Sequence, residues 1–199
     1  YPVEEIPEGG YRNEFEQYVR RYDVPATRSR ELPLRMGDER KDDLIIQHDM
    51  STCILCTRCV RACEDIQVVG VLDVAYRGDS AQIIVGADGN PEQAGCTWCG
   101  GCVRVCPTGA IHDIIPRAKM RAESLREPVR EVRTVCPYCG VGCQLNLEVR
   151  GNDIQRVNSP WIEETTPNIG STCVKGRFGF DFAMHRDRLK TPMIRIGWV

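Results

Sequence analysis

Twelve of the 199 residues are cysteine, and they fall into three groups of four. Cys53, Cys56, Cys59 and Cys63 are spaced C-x2-C-x2-C-x3-C, and Cys96, Cys99, Cys102 and Cys106 repeat that spacing with Pro107 behind it. Cys136, Cys139 and Cys143 follow as C-x2-C-x3-C, with Cys173 as a distant fourth thiol. A thiolate at every third position lets one short loop wrap three corners of a metal–sulfur cube. Three complete tetrads with no cysteine left over point to three 4Fe–4S clusters, and the chemistry of such clusters is one-electron transfer.

Two other uses of cysteine fit this pattern poorly. Disulfide scaffolds are usually shorter secreted chains, and closely spaced C-x2-C pairs staple distant segments badly. Zinc sites usually take two pairs separated by a longer loop, not a tight triple. The doubled spacing is that of bacterial ferredoxins, in which the fourth cysteine of each run reaches the other cube. One cube therefore takes Cys53, Cys56, Cys59 and Cys106, and the second takes Cys96, Cys99, Cys102 and Cys63. The third takes Cys136, Cys139, Cys143 and Cys173. Glu64 stands where the first run would carry proline, a departure that touches no ligand. Gly140 and Gly142 are expected at positive φ, letting backbone N–H groups approach the third cluster. With every tetrad filled, His48, His112 and His185 have no vacancy to occupy; His48, five residues before Cys53, is the one to check. Ser51 and Thr52, next to Cys53, are expected to cap a turn or to accept from the cluster loop.

The elements that must position these thiols are short. A chain that is 42% hydrophobic, with 26 basic and 28 acidic residues, has a limited apolar core, so much of the order near the cysteines is expected to come from metal binding. The net charge of −2 carries no signature of a nucleic-acid partner, and about −2 more per loaded tetrad brings the total to about −8. No stretch is long and apolar enough to span a membrane. Arg20-Arg21 is followed by Tyr-Asp-Val-Pro rather than an apolar run, which argues against an export signal. Twelve cluster thiolates point to a reducing compartment, the cytoplasm.

The fold class read from these patterns is α+β, a two-cluster module followed by a small β-hairpin cluster domain. Residues 1–47 form an arm whose Tyr11, Phe15, Tyr18, Val19 and Tyr22 make one stripe of an amphipathic helix. Residues 48–115 hold the two-cluster domain. Its cysteine runs enter short helices at Val60 and Val103, and two strand-like runs, Val68–Ala75 and Ala81–Val85, form an inserted hairpin. The apolar Gly109-Ala110-Ile111 is expected to fold back over a cube. Residues 116–134 read as a charged connector with helix-forming composition up to Pro128. Residues 135–199 form the third module, with a hairpin of Leu145–Val149 and Ile154–Val157.

Cys-Pro-Tyr-Cys-Gly-Val-Gly-Cys at 136–143, the run from Gly170 through Cys173 to Phe182, then Arg188-Leu189 and Thr191-Pro192, resemble the opening of the molybdenum- or tungsten-pterin formate dehydrogenases. The segments Cys53–Cys63 and Cys96–Gly109 resemble the ferredoxin-like part that precedes it in the large subunit of cytoplasmic, multi-subunit members. The resemblance implies an electron relay between a pterin metal site, where formate and CO2 interconvert, and a flavin/iron–sulfur NADH-oxidoreductase subunit. It implies that Lys175 lies between the third cluster and the pterin and assists electron passage. It implies molybdopterin guanine dinucleotide with Mo or W in further domains of the large subunit, so that these 199 residues alone transfer electrons without catalysing formate oxidation. Nitrate reductases share the 136–143 motif, and hydrogenase and complex I-type relays share the paired clusters. A free-standing polyferredoxin is the reading from another class. The two-cluster module argues against the first, the third module against the second, and the open-ended Arg186–Ile196 against the last.

Overall fold

The computed structural model describes residues 14–24, 45–87, 89–114, 129–160 and 166–197. Among them, short helices and three small antiparallel sheets make a mixed architecture. Helix α1 (Glu14–Arg21) forms where the aromatic stripe was read. Tyr18 is exposed on it, as is Tyr22 in the turn just after it; Tyr11 lies outside the described residues. The helix-forming part of the connector up to Pro128 also lies outside them.

The first body is built around the doubled cysteine runs. Strand β1 (Ile46–His48) pairs with β4 (Ile111–Asp113), which brings the start and the end of the module together in register Ile46↔Asp113. Between them, each cysteine run enters a short helix, α2 (Arg58–Arg61) and α3 (Gly101–Val105), at the expected valines. The inserted hairpin is β2 (Leu72–Ala75) with β3 (Gln82–Val85), joined by a 3-10 turn at Gly78–Ser80. Alternation along β3 turns Ile83 and Val85 inward, where with Ile46, Val60, Leu72 and Ile111 they make one small core. Ahead of Cys53, Asp49 caps the turn by accepting from the Ser51 amide at 3.0 Å, and Thr52 Oγ1 donates back to the Asp49 carbonyl at 3.2 Å.

The second body is a three-stranded sheet in the order β5–β6–β7, from Arg130–Val135, Gln144–Arg150 and Asp153–Asn158. The expected hairpin is its β6–β7 half. Strand β5 occupies residues read as connector, pairing Val132 with Leu147 and Thr134 with Leu145. Its charged face explains the difference: β5 lies at the sheet's edge, where Arg and Glu deter further strand pairing and dilute the apolar alternation. Leu145, Val157, Phe180 and Cys136 form a second core. Helix α4 (Val174–Phe178) follows Cys173.

The two bodies are not independent. Phe178 of α4 is buried in the core of the first body. Asp113 of β4 and Arg156 of β7 form a buried ion pair at 3.3 Å.

Candidate metal centres

Both cysteine runs fold in the same unusual way. Leu55 and Trp98, each two residues after the first cysteine of its run, have φ of 53° and 48°. Thr57 and Gly100, each following the second cysteine, have φ of 60° and 73°. Left-handed backbone at a non-glycine residue is costly, and its recurrence marks a conformation imposed for a purpose. The result is visible at the sulfurs: the Leu55 amide donates to Cys53 Sγ and the Trp98 amide to Cys96 Sγ, both at 3.4 Å. Val71 N–H donates to Cys63 Sγ at 3.3 Å. Amide donors stabilise thiolates and are the usual environment of a cluster sulfur.

The fourth cysteine of each run faces the opposite site. One cavity is lined by Cys53, Cys56, Cys59 and Cys106, with Ile83, Pro107 and Ile111 around them. Ala110 and Ile111 do fold over this cavity, as expected. A second cavity is lined by Cys63, Cys96, Cys99 and Cys102. Burial and the neighbouring Cys106, Cys53 and Cys56 thiols push Cys59 up to about 12. Burial, then the thiols of Cys99, Cys59, Cys96 and Cys63, push Cys102 well above its ordinary value. Without a cation these crowded thiols stay protonated; four thiolates side by side would require a cationic core, which an iron–sulfur cube would supply. None of the twelve cysteines is joined in a disulfide. Among the described residues, no three His, Cys, Asp or Glu side chains are placed to hold a single metal ion. The first two tetrads surround a volume instead, which fits a multi-atom cluster better than zinc ligated at about 2.3 Å.

The third tetrad is more open. The Cys136 amide donates to the Cys143 carbonyl at 2.8 Å, closing the loop, and Gly142 takes φ 66° within it. Gly140 is not in the left-handed region, contrary to expectation: one left-handed residue suffices to turn this loop, and a Cβ at Gly140 would meet open space. Cys136 is buried, whereas Cys139 and Cys173 are exposed. Burial raises Cys143, followed by the thiols of Cys136, Cys139 and Cys173, so the four act on one another. Lys175 is exposed on α4, two residues beyond Cys173.

His48 borders the second cavity rather than the Cys53 loop, and that cavity already has four cysteines. His112 is buried, with Nδ1 3.2 Å from the Gly109 carbonyl and Nε2 3.3 Å from Gln47 Oε1. His185 is exposed, 3.9 Å from Asp187.

Sequence reasoning missed the seam between the second and third sites. Gln67 Nε2 donates to Ser171 Oγ at 2.9 Å, and Thr172 Oγ1 donates to the Cys99 carbonyl at 3.5 Å. Arg177 is buried against Gly100. A signal was available: the second run carries Gly100-Gly101 where the first carries Thr57-Arg58, and paired glycines mark a close approach of another segment.

Residues 44–112 match the family described as NADH-quinone oxidoreductase subunit 3, ferredoxin-like domain. Residues 129–185 match the molybdopterin oxidoreductase Fe4S4 domain. The chain is 42% identical over 159 residues to an NADH-quinone oxidoreductase subunit of Rhizobium meliloti, covering 79% of this chain and 17% of the relative. It is 36% identical over 156 residues to the alpha subunit of the NADPH-Fe(3+) oxidoreductase of Geobacter sulfurreducens, covering 78% and 17%. It is 27% identical over 183 residues to the protein of Staphylococcus haemolyticus named "Putative formate dehydrogenase SH0748", covering 75% and 18%. The chain thus spans less than a fifth of the length of these relatives.

Proposed function

We propose that the chain is an iron–sulfur portion of a molybdopterin oxidoreductase family subunit and, within that family, the electron relay of a formate dehydrogenase large subunit. Its twelve cysteines hold three 4Fe–4S clusters in the tetrads described above. Oxidation of formate at a pterin metal site releases CO2, one proton and two electrons, which leave one at a time through single-electron clusters. Molybdopterin guanine dinucleotide with Mo or W belongs to further domains of the same subunit. The acceptor is a flavin/iron–sulfur NADH-oxidoreductase subunit in the cytoplasm.

The observation that carries this reading is the seam. The third tetrad's module rests on the loop of Cys99, so the Cys63/Cys96/Cys99/Cys102 site is its neighbour, and the Cys53/Cys56/Cys59/Cys106 site is farther along. That order supports entry of electrons at the third site and exit from the first, where Cys56 is exposed. Lys175, beside the entry site, assists the first transfer.

A second reading is favoured by the relatives. The NADH-quinone oxidoreductase relative aligns over 159 of 199 residues, so the alignment must run past Cys143. The third module therefore does not argue against an NAD(P)H-linked relay, as it was expected to. One experiment separates the two. The complete protein, anaerobic and oxidised, is mixed with formate, NADH or NADPH, and bleaching of its visible charge-transfer absorption is followed. Rapid bleaching by formate is the expected result. Bleaching by NADH or NADPH alone, with formate inert, replaces it with the second reading.

A further inference from the structure

Arg177 of α4 is 2% exposed. Its Nε donates to Thr172 Oγ1 at 3.3 Å, and its Nη1 donates to Asn158 Oδ1 at 3.1 Å and to the Val157 carbonyl at 3.4 Å. All three acceptors are neutral. A guanidinium buried on neutral acceptors carries a desolvation cost, which an anionic neighbour offsets. Asp113 contributes, but it is already bonded by Arg156 at 3.3 Å. The next charges that favour ionised Arg177 against its burial are the thiols of Cys102 and Cys99.

Gly100 shows that this proximity is built in. A Cβ at Gly100 would stand 2.1 Å from Arg177 Cδ and 2.5 Å from Nε. Its φ of 73° does not by itself demand glycine, because Thr57 holds φ 60° at the matching place in the first run. The side chain is missing at Gly100 because the arginine lies there.

We propose that Arg177 is a positioning residue of the Cys63/Cys96/Cys99/Cys102 site, seating it against the third module and raising its reduction potential with a fixed buried positive charge. The inference rests on the reading that the tetrads hold 4Fe–4S clusters. Uptake of one electron takes such a four-thiolate site from about −2 to about −3. A nearby cation in a low-dielectric seam stabilises the reduced form more than the oxidised one. Arg177 neither carries the electron nor exchanges a proton.

The test is an anaerobic dithionite titration of the complete, cluster-loaded protein, followed by electron paramagnetic resonance. Arg177→Met is expected to weaken reduction of one of the three clusters at least tenfold, about 59 mV for one electron, while the other two stay within about twofold. Arg177→Lys keeps the charge and is expected to keep most of the potential. Unchanged potentials in fully loaded Arg177→Met overturn the proposal, as does a loss in Arg177→Lys equal to that in Arg177→Met. Where Arg177→Met fails to load iron, Asn158→Asp sets a carboxylate against Nη1 with the arginine in place. A fall in the same potential supports the proposal, and no change overturns it. A wild-type protein without 4Fe–4S signals would reject the cluster reading itself.

Discussion

At Cys106 the duplication and the fold can be told apart experimentally. Cys106 belongs in sequence to the run of Cys96, Cys99 and Cys102, yet it lines the cavity of Cys53, Cys56 and Cys59. Cys106→Ser is expected to disturb the cluster held by the first run and leave the neighbouring one intact. Loss of up to about four of about twelve irons, with one resonance signal altered, checks this; disturbance of the 96–102 cluster instead would reject the cross-over. Lys175 is tested at the same scale. Lys175→Ala removes a positive charge beside the third tetrad, and rapid mixing with formate should show slower reduction of that cluster, with transfer between the paired clusters largely kept. An unchanged rate would leave Lys175 as a surface lysine.

Among the elements, the β2–β3 hairpin has a part in both sites. Ile83 lines the first cavity, while Leu72 and Val85 line the second. Its two strands thus act as a shared apolar wall, and apolar walls keep water from cluster sulfurs. Ile83→Ala removes a residue that is 6% exposed and is expected to cost about 2–4 kcal/mol. It should also speed bleaching of the first cluster in air. Calorimetry and the rate of absorbance loss measure the two effects; a normal melting temperature would mean that the hairpin is dispensable to the site. Strand β5 makes the complementary point, since its charged residues serve a sheet edge and give little hydrophobic signal.

Across the whole molecule, the seam decides whether three sites make one conductor. The Asp113–Arg156 pair spans the two bodies with both side chains nearly buried. Removing Arg156 takes the ion-pair partner from a nearly buried Asp113, so Arg156→Met is expected to destabilise by about 3–5 kcal/mol and to separate unfolding into two transitions. Asp113→Asn combined with Arg156→Met should recover much of the loss, because no buried charge is then left over at this pair. Denaturant unfolding monitored at the clusters and by far-UV circular dichroism checks both. A single unshifted transition in Arg156→Met would show that the seam is held by Phe178 and Arg177 without the ion pair.

The cysteine spacing alone was enough to read three thiol tetrads, and local patterns gave the short helices after them, the inserted hairpin and the β6–β7 hairpin. Each is a local matter, governed by loop reach, by left-handed turns or by alternation over a few residues. Which thiols share a cavity could be inferred only because the doubled spacing is an established pattern; the tertiary structure places the shared lining directly. The seam was beyond the sequence. Asp113 and Arg156 are 43 positions apart, Gly100 and Arg177 still farther, and no periodicity links residues that meet only when two bodies pack. Arg177 carried no signal of its own in the sequence; tertiary packing removes it from water and sets it on the second cysteine loop. Burial of a charge depends on what surrounds it, and that information lies in the assembled chain.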